Sequence, residues 1–121
     1  MQSVRYLKNG ESLAIFPEGT RNKTAEVFLP FKSGAAMLSI KTRTPIVPIV
    51  MAKKLRPFRR TLIFYGDPLE FTNYYGKKLT AQDIEDCDNL LKEKMLEMTI
   101  EELEGYTCKA QRLLRGRTAR R

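Results

Sequence analysis

The alternation of apolar and polar stretches along this 121-residue chain predicts a helix followed by a strand at its start. Residues 1–9 carry Val4 and Leu7 at helical spacing, and Gly10 follows as a stop signal. Residues 13–16 form a short apolar run that ends at Pro17, which cannot donate to a sheet ladder. We therefore expect a buried strand that ends immediately before Pro17.

The middle of the chain predicts a second helix and a second buried strand. Ser33 is a suitable N-cap for a helix over residues 33–43, which is rich in alanine and larger apolar residues. Residues 45–52 are the most apolar window, although Pro48 favours a strand that starts near Val47 or is interrupted. A strand, a helix and a further apolar strand imply a right-handed crossover and parallel pairing.

The last third of the chain predicts two short strands and one long helix. Residues 61–65 read as a strand and residues 69–71 as an edge strand. Thr80 and Asp83 have the spacing of a capping box, and the helix after them runs to about residue 104. Its apolar stripe is typical of core packing and comprises Ile84, Cys87, Leu91, Met95 and Met98. We expect one α/β domain over residues 1–105 and a flexible basic tail over residues 106–121.

The charge of the chain favours anionic partners. The formal net charge is +8, and no acidic residue lies between Glu26 and Asp67. Phosphorylated metabolites, acidic lipid surfaces and nucleic acids all fit such a balance. The basic segment 53–60 contains Leu55 and Phe58, so it suits an anionic membrane or RNA, while a solvated loop is the default for such a cluster.

The residues that follow the first predicted strand are the strongest candidates for chemistry. Glu18, Gly19, Thr20 and Arg21 would lie at the carboxyl end of a strand, where ligands of open α/β sheets bind. Arg21 offers a planar fork of donors for phosphate, and the alternative is a local ion pair with Glu18. Lys32 would flank an anion site at the start of the second helix, or it is a solvated surface lysine.

Composition excludes several classes of site. The sequence contains no histidine, which removes the commonest general base and metal ligand, and no metal site is expected. Cys87 and Cys108 form no CxxC pair, so neither a zinc site nor a disulfide framework is indicated. No apolar run reaches the ~20 residues of a membrane span, and no signal peptide is recognisable. We expect a cytoplasmic protein that is peripheral at the membrane.

Three motifs in order resemble those of the lysophospholipid acyltransferases, and most nearly the 1-acylglycerol-3-phosphate acyltransferases. They are LAIFPEGTRN at residues 13–22, LPFKSGAA at 29–36 and TPIVPI at 44–49. The resemblance extends to FYGDP at residues 64–68. It implies a partial glycerolipid acyltransferase-type fold, with a mostly parallel or mixed sheet flanked by helices.

The resemblance also implies an activity and a set of binding residues. Members of this family transfer a fatty acyl group from acyl-CoA or acyl-carrier protein to a glycerophospholipid hydroxyl, here giving phosphatidic acid, and need no further cofactor. Glu18, Gly19, Thr20 and Arg21 would bind the glycerol phosphate. Residues 47–49, namely Val47, Pro48 and Ile49, would line the acceptor or acyl pocket, which suits an apolar chain.

One departure from the family pattern limits the expected activity. The family's HxxxxD motif supplies a histidine base and the aspartate that orients it, and this sequence contains no histidine. Neither Glu18 nor Cys108 is a convincing substitute, because a glutamate carboxylate is ordinarily too weak a base to take an alcohol proton and Cys108 has no partner base. We therefore assign no catalytic residue and expect the chain alone to be inactive. It resembles the C-terminal part of the enzyme, so a missing N-terminal half or a partner chain would complete it.

Two other functions remain open at this point. A non-catalytic remnant could bind phospholipid or acidic membranes through Arg21, the basic segment 53–60 and the tail. A nucleic-acid-binding module would also suit the charge, but the aromatic residues are not interleaved for base stacking. The motif order favours the acyltransferase.

Overall fold

The described part of the chain contains three α-helices and one small sheet. A computed structural model describes residues 2–24, 26–32, 34–51, 57, 58 and 60–118, with only the backbone described for 102–104 and 106–118. The elements in chain order are α1 (Gln2–Lys8), α2 (Gly34–Thr42), β1 (Ile49–Met51), β2 (Ile63–Tyr65) and α3 (Ala81–Thr118). A short 3-10 turn over Thr72–Tyr74 precedes α3. The mixed α/β class predicted from the sequence is confirmed.

The predicted strand at residues 13–16 does not form. This segment is extended but belongs to no sheet, and Leu13, Ile15 and Phe16 are 40%, 42% and 81% exposed. A strand requires a neighbouring strand to accept and donate its backbone hydrogen bonds, however apolar its own sequence is. Within the described part of the chain the sheet consists of β1 and β2, and neither pairs with this segment.

The sheet itself is antiparallel. Ile49 pairs with Tyr65, Val50 with Phe64 and Met51 with Ile63. Outside these strands, Ile46 and Leu69 exchange backbone hydrogen bonds of 2.9 and 2.7 Å, so the predicted edge strand is reduced to one bridge. The expected parallel pairing is not seen among the described residues, because it depended on residues 13–16 forming a strand.

Only one face of the sheet is buried, whereas the apolar window at 45–52 predicted a strand buried on both faces. Val50 is buried and Phe64 half-buried on the inner face. Alternate residues point the other way, so the opposite face is exposed. We call this opposite side the outer face; its members are Val47, Ile49, Met51, Ile63 and Tyr65. Their exposure of 46–72% would be unusual for so many apolar residues of a fully covered sheet.

Helix α3 supplies the shared wall of the hydrophobic core. The predicted stripe is confirmed: Cys87, Leu91 and Met95 are buried, and the flanking Ile84 and Met98 are half-buried. Two clusters result, one from Ala35, Val50, Leu91 and Met95, the other from Ala36, Ile40, Phe71 and Cys87. Both clusters combine residues of α2 and α3, so α3 holds α2 and the sheet together.

The ends of α3 follow different rules. At its start the predicted capping box is confirmed: the Asp83 N–H donates to Thr80 Oγ1 at 3.2 Å and the Thr80 N–H to Asp83 Oδ2 at 2.9 Å. At its other end the helix continues past residue 105, where a tail was expected, and reaches Thr118. The added stretch contains no proline and is rich in good helix formers, so nothing local ends the helix at Gly105.

Close packing between α3 and the sheet depends on Gly66. A Cβ added there would lie 2.5 Å from Met98 Sδ and 2.8 Å from Pro48 Cγ. The Gly66 N–H also donates to the Pro48 carbonyl at 2.8 Å. The end of β2 can therefore approach both the helix and the start of β1 only because this residue has no side chain.

A carboxyl group is buried in the α2–α3 interface. Asp88 is 6% exposed, and its Oδ1 has no hydrogen-bond partner in the structure. Burial raises the pKa of Asp88 to about 6, and a hydrogen bond with the Ala36 backbone opposes part of the shift. Ala36 lies in the first turn of α2, so Asp88 already occupies part of the helix terminus that the sequence suggested for a ligand anion.

The burial of Asp88 predicts that stability falls as pH rises from about 4 to about 6. The folded chain holds the Asp88 proton more tightly than the unfolded chain does. The resulting contribution to folding stability is therefore largest below the pKa of Asp88 in the unfolded chain, and it is lost as pH rises through the pKa of Asp88 in the folded chain. Asp88→Asn should remove this decline and make the protein more stable near pH 7. Urea denaturation across this pH range measures it, with the exposed Glu93→Gln as control. The same decline in Asp88→Asn as in the wild type would contradict the assignment.

Candidate phosphate-binding turn

The candidate site is built on a tight turn. We call residues 16–21 the site turn. The Gly19 N–H donates to the Phe16 carbonyl at 3.0 Å, which closes the turn with Pro17 at its second position. Gly19 has a φ of +65°, a left-handed conformation that favours glycine. Pro17 and Gly19 thus set the direction in which Thr20 and Arg21 leave the turn.

Two hydrogen bonds fasten the site turn to the segment before α2. Glu18 Oε2 accepts from the Leu29 N–H at 2.9 Å, and the Pro17 carbonyl accepts from the Lys32 N–H at 2.8 Å. Glu18 is half-buried, so its carboxylate is a structural acceptor rather than an open base. The LPFK segment therefore lies directly beside the EGTR segment, although the two bonded pairs are eleven and fifteen positions apart in sequence.

The loop after Arg21 has its own local order. Asn22 Oδ1 accepts from the Thr24 N–H at 2.9 Å and from Thr24 Oγ1 at 2.8 Å. Asn22 Nδ2 donates to the Glu26 carbonyl at 2.9 Å. These bonds form an Asx-type turn that begins one residue beyond Arg21. Arg21 is consequently flanked by ordered backbone on both sides.

The Arg21 guanidinium is exposed and available to a ligand. The alternative suggested by the sequence, an ion pair with Glu18, does not form: in the described part of the chain the single ion pair joins Lys94 and Glu97. Thr20 is also exposed, and its hydroxyl can donate to an oxyanion. The four EGTR residues therefore divide into a structural acceptor, a turn former and two outward-facing donors.

The sequence left two alternatives for Lys32, a group flanking an anion site or a solvated surface lysine. In the structure Lys32 is exposed and its side chain lies across Gly19. A Cβ added at Gly19 would meet Lys32 Cδ at 2.8 Å and Nζ at 3.3 Å. One sequence signal could have located Lys32. The FPEGTR segment at residues 16–21 contains a glycine, which leaves space for a neighbouring side chain, and FKSG follows soon after at residues 31–34.

The other predicted site residues, Val47, Pro48 and Ile49, do not all point to the same side of the sheet. Val47 and Ile49 belong to the outer face and are 46% and 47% exposed, while Pro48 between them is buried. The expected pocket of three consecutive residues is therefore split, because alternate positions of an extended chain point to opposite sides. The outer face still provides an apolar wall, and the role of Val47, Pro48 and Ile49 in an acyl pocket stays a prediction.

Other chemical groups in the described part of the chain do not form a second reactive centre. No group of three histidine, cysteine or carboxylate side chains there could hold a metal ion. Burial raises the pKa of the Cys87 thiol, which is a core residue. Cys108 lies where only the backbone is described. A cleft of about 600 Å³, which we call the basic cleft, includes Lys41, Arg43 and Lys77 but no residue of the site turn.

Comparison with known proteins decides the family. A family profile described as Acyltransferase matches residues 1–52, which include α1, the site turn and α2. Several curated 1-acyl-sn-glycerol-3-phosphate acyltransferases match in addition. The chain belongs to the acyltransferase family. The resemblance read from the EGTR, LPFK and TPIVPI segments is thereby confirmed.

Three of these acyltransferase relatives illustrate the extent of the match. The protein of Cocos nucifera is 53% identical over 80 residues, covering 66% of this chain and 25% of the relative. That of Helicobacter pylori is 42% identical over 64 residues, covering 53% of this chain and 24% of the relative. That of Borreliella burgdorferi is 33% identical over 93 residues, covering 67% of this chain and 37% of the relative. The chain thus spans about a quarter to a little over a third of the length of these three relatives. No solved structure matches it significantly.

The hydrogen bond to Glu18 predicts that removing this carboxylate destabilises the chain. Glu18→Ala leaves the Leu29 N–H without its acceptor in a partly buried position, which costs about 1–3 kcal/mol. Glu18→Gln keeps an oxygen acceptor and should lose less. Urea denaturation measures both, with the exposed Glu26→Ala as control. Equal unfolding midpoints for Glu18→Ala and Glu26→Ala would show that the bond does not stabilise the site turn.

Proposed function

We propose that this chain is the phosphate-binding part of a 1-acylglycerol-3-phosphate acyltransferase, the enzyme that forms phosphatidic acid. The observation that carries the proposal is the site turn itself. Its glutamate is used to hold the turn, while Thr20 and Arg21 face outward, as donors for an anionic headgroup should. The match to acyltransferases covers this turn and both neighbouring helices.

In the proposed reaction a lysophospholipid is the acceptor and acyl-CoA or acyl-carrier protein the donor. The free glycerol hydroxyl attacks the thioester carbonyl, a C–O bond forms, the C–S bond breaks, and the hydroxyl proton leaves as the thiol is released. Arg21 and Thr20 would hold the acceptor phosphate, which fixes the position of the hydroxyl relative to the donor. Glu18 and Gly19 would contribute by shaping the turn.

The acyl chain needs an apolar path, and the outer face is the proposed wall of that path. Its exposed side chains offer dispersion contacts without polar groups, as a fatty chain requires. Val47 and Ile49 belong to this face, and Pro48 stiffens the backbone between them from the buried side. The part of the enzyme that supplies the histidine would cover the same face.

We place the chain at the cytoplasmic surface of a membrane that contains the lipid acceptor. None of the described helices is both long enough and apolar enough to cross a bilayer. The net charge of +8 favours anionic lipid, at about 1 kcal/mol for each basic residue near the surface. The exposed Phe58, which lies within the basic segment 53–60, adds an apolar group for contact with the membrane.

The proposal predicts that this chain binds the acceptor without converting it. The sequence contains no histidine, so no side chain with an unperturbed pKa near 7 is present to take the hydroxyl proton. Equilibrium dialysis should detect saturable binding of a water-soluble, short-chain lysophosphatidic acid and not of the matching uncharged monoacylglycerol. A thioester-release assay with acyl-CoA should give the same signal as a heat-denatured sample.

Two results would contradict the proposal in different ways. Equal binding of lysophosphatidic acid and monoacylglycerol would refute a phosphate site. Turnover above the heat-denatured control would refute the assignment of the base to a histidine outside this sequence. Adding a polypeptide that carries the HxxxxD motif of a relative separates the enzyme part from a non-catalytic remnant, since only the former should then release thiol.

A further inference from the structure

We propose that the Lys32 ammonium group is the second cation of the phosphate site and that the Arg21–Lys32 pair selects phosphomonoesters over phosphodiesters. This inference rests on the proposed function, because it assigns a further residue and a substrate preference to the same site turn. The comparisons with known proteins assign no role to Lys32.

The position of Lys32 is fixed by its backbone and its side chain together. The Lys32 N–H donates to the Pro17 carbonyl at 2.8 Å, which attaches the residue to the start of the site turn. Its side chain then crosses Gly19, with Cδ, Cε and Nζ at 2.8, 3.1 and 3.3 Å from the position a Cβ would occupy. The aliphatic stem therefore uses the space that the missing side chain leaves.

Lys32 is exposed overall, but its aliphatic stem lies against Gly19. Packing a lysine stem restricts rotamers that would otherwise contribute up to about 2 kcal/mol of entropy in solution. The ammonium group nevertheless gains no carboxylate: Glu18, the acidic residue of the turn, accepts from the Leu29 N–H. In the described part of the chain Lys32 takes part in no ion pair. Its charge is held beside the turn and left available to an anion.

One cation on the site turn and a second beside it match the charge of a particular ligand class. A phosphomonoester such as that of lysophosphatidic acid carries about −1.5 to −2 charges near pH 7. A phosphodiester, as in lysophospholipids with a choline headgroup, carries one negative charge and places a bulky alcohol on the phosphate. The Arg21 fork can take two phosphate oxygens, and Lys32 adds a point charge for a third. Two unpaired cations therefore favour the dianion.

Gly19 connects the conformation of the turn to the lysine. It supplies the left-handed φ that closes the turn and the empty space that Lys32 crosses. Any side chain at Gly19 would displace the lysine stem as well as strain the turn. The same glycine thus serves both the shape and the charge of the site.

The test compares the affinities of two soluble short-chain ligands, a lysophosphatidic acid and the corresponding lysophosphatidylcholine. We expect Lys32→Gln to weaken binding of the phosphomonoester roughly tenfold or more, about 1.4 kcal/mol, and to leave the weak binding of the phosphodiester nearly unchanged. Lys32→Arg should restore part of the affinity. Lys23→Gln removes an exposed lysine of the neighbouring loop and should change neither affinity.

A second measurement avoids substitution and any loss of folding. The lysines of the wild-type chain are methylated reductively with ¹³C-formaldehyde, and the dimethyl-lysine signals are followed by NMR during titration with lysophosphatidic acid. The Lys32 signal should shift saturably while that of Lys23 stays in place. Shifts confined to Lys41 and Lys77 would instead assign the phosphate to the basic cleft and overturn the inference.

The outcomes separate this inference from the proposed function. Loss of phosphomonoester binding in Arg21→Gln, with wild-type affinity and selectivity in Lys32→Gln, would overturn the role of Lys32 and leave the phosphate site intact. Failure of the wild-type chain to bind lysophosphatidic acid at all would overturn both.

Discussion

The burial of one stripe of α3 is the constraint on which the rest of the described structure depends. The stripe consists of Cys87, Leu91 and Met95, and each of the two core clusters takes its α3 members from it. At about 25 cal/mol per Å² of apolar surface, such side chains supply most of the favourable free energy of a small core. One face of α2 and one face of the sheet are covered by α3, and the opposite face of the sheet is left exposed.

The site turn depends on this core only indirectly, through the segment that leads into α2. It lies outside both clusters, and the described bonds that position it run through Leu29 and Lys32 to the segment that enters α2. Glu18 Oε2 accepts the backbone hydrogen bond from Leu29, while Thr20 and Arg21 are exposed and can donate to a ligand. A site organised in this way can hold an anion and orient it. In our proposal the base therefore comes from outside the site turn.

Local signals in the sequence predicted the helices well and the sheet poorly. The stripe of α3, its Thr80–Asp83 cap and the extent of α2 depend on neighbours within a few residues, and these were confirmed. The strand at residues 13–16 failed because pairing requires a partner strand that local sequence cannot supply. In the site, the motif located Arg21. The roles of Glu18 and Lys32 depend on contacts eleven to fifteen positions apart, which no spacing rule reveals.

The most direct test of the central claim is to map where the acceptor phosphate binds. In ¹⁵N-labelled chain, titration with soluble short-chain lysophosphatidic acid should shift the backbone amide signals of Gly19, Thr20 and Arg21 saturably, with one common dissociation constant. Glycerol 3-phosphate should shift the same signals more weakly, because it lacks the acyl chain. Shifts confined to the basic cleft, or none at residues 19–21, would contradict the assignment of the site turn as the phosphate-binding element.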